Sequence, residues 1–338
     1  LPYREEAVEF ASAGGVRLAG TLTLPPGRGP HPAVVLVSGS GPHDRDGAMM
    51  GHRPFLVLAD HLTRSGVAVL RVDDRGTGGS EGSFADATLE DFADDVLGAV
   101  RYLEGRREVA RGRIGLAGHS EGAVVAPLAA ARPESGVAFV VMLAGTGVPG
   151  DSILRLQTDL LMRASGIPPE RSARLADAQV RMFGALRRAP DGDEAARRLR
   201  EAATAFVGEF SEEERRAAAL TVEQVEALVR SLLTPALRTL LDHDPAAVLR
   251  GLAVPVLALN GGRDLQVPPK ENLDAIAAAL ESGGNRDFSV VELPGLNHLF
   301  QSAATGAPHE YARIEETFSP DALRLVSGWI AERFGRAR

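Results

Sequence analysis

The chain has 338 residues, and its 37 basic and 45 acidic side chains give a net charge of −8; it has no cysteine. The lack of cysteine excludes a disulfide scaffold, thiolate zinc sites, iron–sulfur clusters and a cysteine nucleophile. The acidic balance argues against nucleic-acid binding, because neutralising phosphates requires a basic surface. With 44% hydrophobic and 24% charged residues, the chain is typical of a globular protein long enough for one domain with a sizeable insertion.

The longest apolar run, Val137–Ala144, has the length of a strand and falls far short of the roughly 18–20 residues that cross a bilayer. We therefore expect a soluble protein without a membrane span. No signal peptide is recognisable after Leu1, so the sequence leaves both a cytoplasmic and an exported location open.

The N-terminal region predicts an antiparallel hairpin. Two strand-like segments, Glu5–Ala11 and Val16–Leu24, flank the turn signal Gly14-Gly15. We expect this hairpin to join the edge of a larger sheet.

Short runs rich in Val, Leu and Ala recur after the hairpin, and each ends in a glycine-rich or polar turn. Continuous hydrophobicity is typical of strands that helices cover on both faces, as in a parallel sheet. Apolar residues from Leu89 to Leu103 recur at helical spacing along one face. Residues 1–150 and 251–338 are therefore predicted to form one α/β domain with a mostly parallel sheet and flanking helices. The predicted strands are Ala33–Val37, Val67–Val72, Arg113–Ala117, Val137–Ala144, Val256–Leu259 and Phe288–Leu293.

Residues 151–250 are rich in Ala, Arg, Leu and Glu and contain no strand-like run. Helix-start signals recur there, for example Asp244-Pro245, which pairs an N-cap residue with a proline at the first helical position. We predict an all-helical insertion between two strands of the sheet.

The pentapeptide Gly118-His119-Ser120-Glu121-Gly122 has the form G-x-S-x-G. It directly follows a predicted strand and precedes a helix-compatible stretch, which is the context of a nucleophile elbow. In such a turn the serine hydroxyl is lifted out of the sheet, and the helix N-terminus points at a developing oxyanion. We predict Ser120 as a nucleophile, with Gly118 and Gly122 relieving crowding around it.

A serine nucleophile needs a base, and the base needs an orienting group. Asp264 follows the predicted strand Val256–Leu259, and His298 follows the strand Phe288–Leu293. The chain order Ser120, Asp264, His298 is the order expected of an α/β-hydrolase, and all three follow the carboxyl ends of strands.

Alternatives exist for two of these residues. Asp264 could instead be a turn residue that caps the following helix, and Asp151 is the rival acid. His309 is the rival base, although it precedes no recognisable strand end, and His298 could be an incidental loop histidine.

An oxyanion hole needs two backbone N–H groups. One is expected from Glu121, directly after the nucleophile, and the second from Ser40 in the small-residue loop Ser38–Pro42. Gly39 and Gly41 let the backbone of this loop approach a substrate carbonyl. A phosphate cradle is the weaker interpretation, since the loop lacks Gly-Lys-Ser/Thr and full G-x-G-x-x-G spacing.

Two further polar segments have structural interpretations. The segment Asp73–Ser80 lacks the third glycine of the spacing found in dinucleotide-binding motifs. We expect its aspartate and Arg75 to brace neighbouring loops. His119 is expected to be structural rather than catalytic. The cluster Asp44-Arg45-Asp46 with His43 and His52 matches no metal-ligand spacing, so we predict a hydrogen-bonded loop and no metal site.

Taken together, these segments resemble the α/β-hydrolase superfamily, and within it the bacterial carboxylesterases that are grouped with the serine aminopeptidase-like branch. The resemblance implies Ser120 as nucleophile, His298 as base and Asp264 as its partner, and it implies that the helical insertion caps the active site. The segments that carry it are Ser38-Gly39-Ser40-Gly41-Pro42, Asp44-Arg45-Asp46, Asp73-x-Arg75-Gly76-x-Gly78-x-Ser80, Gly118-His119-Ser120-Glu121-Gly122, Arg263-Asp264-Leu265-Gln266-Val267 and Leu296-Asn297-His298-Leu299-Phe300-Gln301.

The expected activity is hydrolysis of a small carboxylic ester of short to medium acyl chain by a serine enzyme that needs no cofactor. The first alternative is a peptidase or amidase of the same fold, in which Glu201, Glu209 or Glu212 of the insertion could hold a substrate amine. The second is a ligand receptor that keeps the fold with little turnover. The sequence leaves the oligomeric state open.

Overall fold

The strands of the computed structural model form one eight-stranded sheet in the order β1-β2-β4-β3-β5-β6-β7-β8. β1 pairs antiparallel with β2, and β2 pairs antiparallel with β4, whereas every later pair is parallel. The structure describes residues 1–188, 192–217 and 221–335. The strands are β1 Arg4–Ala11, β2 Arg17–Leu24, β3 His31–Val37, β4 Ala68–Val72, β5 Val109–His119, β6 Phe139–Leu143, β7 Val256–Gly261 and β8 Phe288–Leu293.

Contacts divide the chain into two compact units. The sheet unit comprises Leu1–Phe84, Glu90–Val148 and Pro245–Arg338, and the helical unit comprises Ala85–Leu89 and Pro149–Asp244. Outside the sheet, the helices are α1 Pro54–Arg64, α2 Leu89–Glu104, α3 Gly122–Ala130, α4 Gly150–Ala164, α5 Pro169–Arg187, α6 Gly192–Gly208, α7 Glu212–Ala217, α8 Val222–Leu232, α9 Pro235–Asp242, α10 Pro245–Arg250, α11 Pro269–Ser282 and α12 Pro320–Phe334, with a 3₁₀ helix at Pro308–Arg313.

The central strands are buried on both faces, as their continuous hydrophobicity predicts. Every residue of β3 and of β7 is buried. On one face, strand residues such as Phe139 pack in a cluster with α1 and with Trp329 and Ile330 of α12. The predicted α/β-hydrolase sheet with its N-terminal antiparallel hairpin is confirmed.

The helical unit has a core of its own, to which α5, α6 and α8 contribute Phe183, Leu199 and Val229. Its second segment ends at Asp244, earlier than the end of the predicted insertion at residue 250. The difference has a physical cause: α10 packs against α11 and α3 of the sheet unit, and its Leu249 is buried. None of the described helices is both long and apolar enough to cross a membrane.

The order of the central strands determines where a site can form. β3 lies between β4 and β5, so the chain leaves its carboxyl end in one direction and later returns on the other side. In open α/β sheets, ligands bind at such a switch point, at the carboxyl ends of the strands. The register pairs Val37 with Gly118, so the segments that follow β3 and β5 leave the sheet side by side.

Candidate active site

Ser120 occupies a tight turn between β5 and α3. Its backbone has a φ of 56°, which is left-handed and strained for a residue with a Cβ. The turn is held on both sides, since the Ser120 N–H donates to Leu143 O at 2.9 Å and the Ser120 carbonyl accepts from Ala123 N at 2.9 Å. A left-handed residue between a strand and a helix is the backbone geometry that a nucleophile elbow requires.

Two glycines allow the turn to close against its surroundings. A Cβ on Gly118 would lie 2.0 Å from the carbonyl oxygen of Gly122, and a Cβ on Gly122 would lie 2.2 Å from that of Val37. Both contacts are with backbone atoms, which cannot rotate away. The G-x-S-x-G spacing therefore has a steric cause in this chain.

His298 and Asp264 are in direct contact. The Nδ1 atom of His298 lies 2.8 Å from Oδ2 of Asp264, and both side chains are buried. Because a carboxylate only accepts, Nδ1 carries the proton and Nε2 presents a lone pair. The other Asp264 oxygen, Oδ1, accepts from the N–H groups of Gln266 and Val267 at 2.8 and 2.9 Å. The two interpretations of Asp264 are therefore compatible, since one carboxylate caps a turn and orients an imidazole.

A buried amide pair shapes the loop that carries His298. Asn297 Oδ1 accepts from the N–H groups of Leu299 and Gln301 at 3.0 and 2.9 Å, and Asn297 Nδ2 donates to Gln301 Oε1 at 2.9 Å. The sequence analysis did not assign these residues. Two amides four residues apart in an otherwise apolar loop are the signal that could have found them.

His119 connects the elbow to the His298 loop. Its Nε2 lies 2.9 Å from the carbonyl oxygen of His298, so Nε2 is the protonated nitrogen, and the two ring centroids are 4.8 Å apart. Burial, with repulsion from His298, lowers the pKa of His119 to about 3 and keeps this ring neutral. The structure thus brings the elbow and the His298–Asp264 pair together. No hydrogen bond joins the Ser120 hydroxyl to the His298 ring among the described residues, a link that in apo structures often tightens only with substrate.

The loop of residues 38–43, here called the oxyanion loop, follows β3 and lies against the elbow. A Cβ on Gly39 would lie 3.3 Å from the Cβ of Ser120, so a larger residue would crowd the serine. Ser40 Oγ donates to Glu121 Oε2 at 3.1 Å. In the described part of the chain, the backbone N–H groups of Ser40 and Glu121 donate to no protein acceptor. The residues of the two predicted oxyanion donors are therefore neighbours, and among the described residues neither N–H has a competing acceptor.

The segment after β4 holds the oxyanion loop through Asp74 and also contacts the residues predicted to form a hydrogen-bonded loop. Arg45 makes an ion pair with the buried Asp73 at 2.6 Å, and its backbone N–H donates to Asp73 Oδ1 at 2.8 Å. Arg75 instead binds Asp95 of α2, with Nε at 2.7 Å from Oδ2. His52 lies between the carbonyl of Tyr311 and the hydroxyl of Thr317. Within the described residues, no group of three or more His, Asp or Glu side chains is arranged to hold a metal ion.

A small pocket lies in the sheet unit beside the oxyanion loop. Its walls are mostly apolar, but four carboxylates line it, one of them that of Asp73, which pairs with Arg45. Burial raises the pKa of Asp74 to about 6 and also raises the pKa of Asp95 and of Glu121, against the hydrogen bonds that each receives. The apolar lining includes Leu18, Val35, Val72, Phe84, Phe92 and Val96.

The rival acid and base are less buried than Asp264 and His298. Asp151 is in the helical unit, where it pairs with Arg187 at 3.0 Å. His309 is exposed in the 3₁₀ helix. The insertion glutamates Glu201, Glu209 and Glu212 are at exposed positions of the helical unit, and Glu201 pairs with an arginine.

Residues 14–286 match the family model described as X-Pro dipeptidyl-peptidase (S15 family). The chain belongs to this family. Its predicted membership in the α/β-hydrolase superfamily is confirmed by this match and by the fold.

A curated relative of this S15 family member is Esterase EstD of Thermotoga maritima, with 28% identity over 307 residues that cover 88% of this chain. The match covers 61% of the relative, so the chain spans about three fifths of its length. Among solved structures, the α/β hydrolase GrgF from Penicillium sp. sh18 has 17% identity and a TM-score of 0.59, and covers 98% of this chain and 100% of its own. The Pyrococcus furiosus esterase Pf2001 has 15% identity and a TM-score of 0.56. The match covers 99% of this chain and 94% of the esterase chain. These likenesses establish the fold.

Proposed function

We propose that this protein is a serine hydrolase that cleaves carboxylic esters of short to medium acyl chain through an acyl-enzyme intermediate. The observation that carries the proposal is the buried contact of 2.8 Å between His298 Nδ1 and Asp264 Oδ2, beside a serine in a left-handed strand-to-helix turn. A serine hydroxyl is a poor nucleophile until a neutral imidazole can take its proton. In the proposed scheme Ser120, His298 and Asp264 are the three groups, and no metal or cofactor takes part.

In the first half-reaction, Ser120 Oγ attacks the ester carbonyl while His298 Nε2 takes the hydroxyl proton. The carbonyl oxygen becomes an oxyanion that accepts from the Ser40 and Glu121 N–H groups, at the positive end of α3. When the intermediate collapses, the C–O bond to the alcohol breaks and His298 gives the proton to the departing alkoxide. Asp264 stays ionised throughout and stabilises the imidazolium.

In the second half-reaction, water attacks the acyl-enzyme with His298 as base. A second oxyanion forms in the same place and collapses to release the carboxylic acid, and the proton returns to Ser120. One water is consumed and one acid and one alcohol are formed. Loss of a single oxyanion donor typically raises the barrier by about 2.7–4 kcal/mol.

We further propose that residues 151–250, the predicted insertion, supply a cap that selects the substrate. Most of this segment lies in the helical unit, which the chain enters after β6 and leaves before β7. In many enzymes a lid that closes over the active site excludes water from the reaction.

Two likenesses favour an ester as the substrate. The curated relative from Thermotoga maritima is named as an esterase, and so is the solved Pyrococcus furiosus protein. The three glutamates considered for a substrate amine, Glu201, Glu209 and Glu212, are exposed rather than buried.

The direct test is turnover of p-nitrophenyl acetate and butyrate by the purified chain and by Ser120→Ala. We expect the variant to lose at least about 10³-fold in kcat. Ser152→Ala, at an exposed position of α4, is the matched control and should keep the wild-type rate. If Ser120→Ala kept the wild-type rate, Ser120 would not be the nucleophile.

The second candidate is a peptidase or amidase of the same fold, because the matched family model is described as a dipeptidyl-peptidase. Peptide p-nitroanilides with proline at the second position, compared with matched p-nitrophenyl esters, separate the two. Faster cleavage of the anilides at equal concentration would replace the ester assignment. Labelling of Ser120 by a fluorophosphonate tests both against a mere ligand receptor, whose unactivated serine should stay unlabelled.

A further inference from the structure

Asp74 is a mostly buried carboxylate that holds both ends of the oxyanion loop. Its Oδ1 accepts from Ser38 Oγ at 2.5 Å, and its Oδ2 accepts from the backbone N–H of His43 at 2.8 Å. The Asp74 N–H also donates to the His43 carbonyl at 3.1 Å. Three hydrogen bonds from one residue therefore fix the first and last residues of a six-residue loop.

The hydrogen bonds continue from His43 to the two oxyanion donors. His43 Nε2 donates to the Ser40 carbonyl at 3.1 Å, which closes the loop on itself. Ser40 Oγ then donates to Glu121 Oε2 at 3.1 Å. The backbone of Ser40 is thus tied on one side to the Asp74–His43 contact and on the other to the residue that carries the second donor.

Burying the charge of Asp74 costs more folding free energy than a merely structural contact justifies. Its neighbours Asp73 and Asp95 are each paired with an arginine, at 2.6 and 2.7 Å. Within the described residues, Asp74 has no such ion pair, and burial raises its pKa to about 6. A buried carboxylate without a cation costs folding free energy, and such groups concentrate at functional sites.

We infer that Asp74 is a positioning residue for the oxyanion hole, which acts through Ser38 and His43 to keep the Ser40 N–H aimed at the developing oxyanion. This inference rests on the proposed function. Asp74 does not touch the substrate. A displacement of a donor by about 1 Å can lower the rate on the order of 10²-fold. A residue that fixes the loop can therefore have a large effect on kcat.

The test uses the full chain and four variants. Asp74→Ala removes both acceptors, and Ser38→Ala removes a single hydroxyl and serves if Asp74→Ala does not fold. Asp74→Asn is the conservative variant, because its oxygen can accept from His43 while its NH₂ group can donate to Ser38. Asp94→Ala is the matched control, since it removes a carboxylate of α2 that pairs with Arg132 and is not among the residues lining the pocket.

The readouts are kcat and KM for p-nitrophenyl butyrate, the fluorophosphonate labelling rate of Ser120, and amide hydrogen exchange of residues 38–43. We expect Asp74→Ala and Ser38→Ala to lose about 10- to 100-fold in kcat with KM within threefold, and to exchange faster in the loop. Asp74→Asn should recover most of the rate. Asp94→Ala should keep kcat and labelling within about twofold, whatever its loss of stability.

Unchanged kcat in Asp74→Ala and Ser38→Ala, or equal losses in Asp94→Ala, would overturn the positioning role. If the wild type is labelled by fluorophosphonate but cleaves no ester, only the proposed substrate is contradicted. The labelling rates of the variants would then show whether Asp74 positions the oxyanion loop. A wild type that neither labels nor cleaves would overturn the hydrolase proposal, and the positioning role with it.

Discussion

One carboxylate, that of Asp264, both builds a turn and faces the ring of His298. Its Oδ2 lies 2.8 Å from His298 Nδ1, while its Oδ1 accepts from two backbone N–H groups of the same turn. The backbone bonds fix the direction of the carboxylate, and the carboxylate fixes the tautomer of the ring. The lone pair on His298 Nε2, which a general base needs, is therefore a consequence of how the segment after β7 folds.

This contact predicts the effect of Asp264→Asn. The amide would donate to Nδ1 and force the proton onto Nε2, so that the ring could no longer accept from Ser120. We expect kcat for p-nitrophenyl butyrate to fall about 10⁴-fold with little change in the circular dichroism spectrum. Asp151→Asn, at the rival acid, is the control and should retain wild-type kcat. If the losses were reversed between the two variants, Asp264 would not be the partner of the base.

The left-handed backbone of Ser120 predicts that activity and stability conflict at this position. A φ of 56° is unfavourable for serine and for alanine but not for glycine. Ser120→Gly should therefore be about 1 kcal/mol more stable than Ser120→Ala in urea unfolding, and both should be inactive. Equal stability of the two variants would mean that the elbow is not strained in solution.

The fold was predictable because its signals are local. Continuous apolar runs identified the central strands, and the order of the motifs along the chain placed them at strand ends. The boundaries were less accurate where the backbone departs from a regular pattern: β5 begins at Val109, before a register shift against β3, and β6 ends before Ala144, whose φ is 51°.

The parts of the site that sequence could not supply depend on contacts between distant segments. Asp74 is separated from Ser38 by 36 positions, and Ser40 from Glu121 by 81. Nothing in a local pattern distinguishes Asp74 from Asp73, although Asp74 contacts the oxyanion loop through hydrogen bonds whereas Asp73 pairs with Arg45, which lies outside that loop. Only the pairing of β3 with both β4 and β5 brings these segments together.

The brace between Arg45 and Asp73 predicts a large stability difference between two arginine substitutions. Burial opposes ionisation of Asp73, but hydrogen bonds from Arg45 and from backbone N–H groups outweigh it and lower the pKa of Asp73. Arg45→Met would leave this buried carboxylate without its cation, at a cost of about 2–3 kcal/mol. Arg17→Met removes the exposed arginine that pairs with Glu81 and should change the urea midpoint little. Similar losses in the two variants would argue against a buried brace.

The neutral ring of His119 predicts how the stability of the protein depends on pH. Burial, together with repulsion from His298, lowers the pKa of His119 to about 3, whereas in the unfolded chain it is near the ordinary value of about 6.5. Between these values the unfolded state binds more protons than the folded state, so the free energy of unfolding rises with pH. The contribution of His119 is complete above about pH 6.5 and is lost as the pH falls toward 3.

The corresponding experiment measures urea unfolding between pH 7 and 4 for the wild type, His119→Gln and His309→Gln. A glutamine at 119 can still donate to the His298 carbonyl but does not titrate, so His119→Gln should lose less stability on acidification, by on the order of 2–3 kcal/mol. His309 is exposed, and its substitution should leave the wild-type pH dependence unchanged. Parallel curves for all three proteins would show that the ring of His119 can be protonated in the folded state, and the Nε2–H contact to His298 would then no longer require a neutral imidazole.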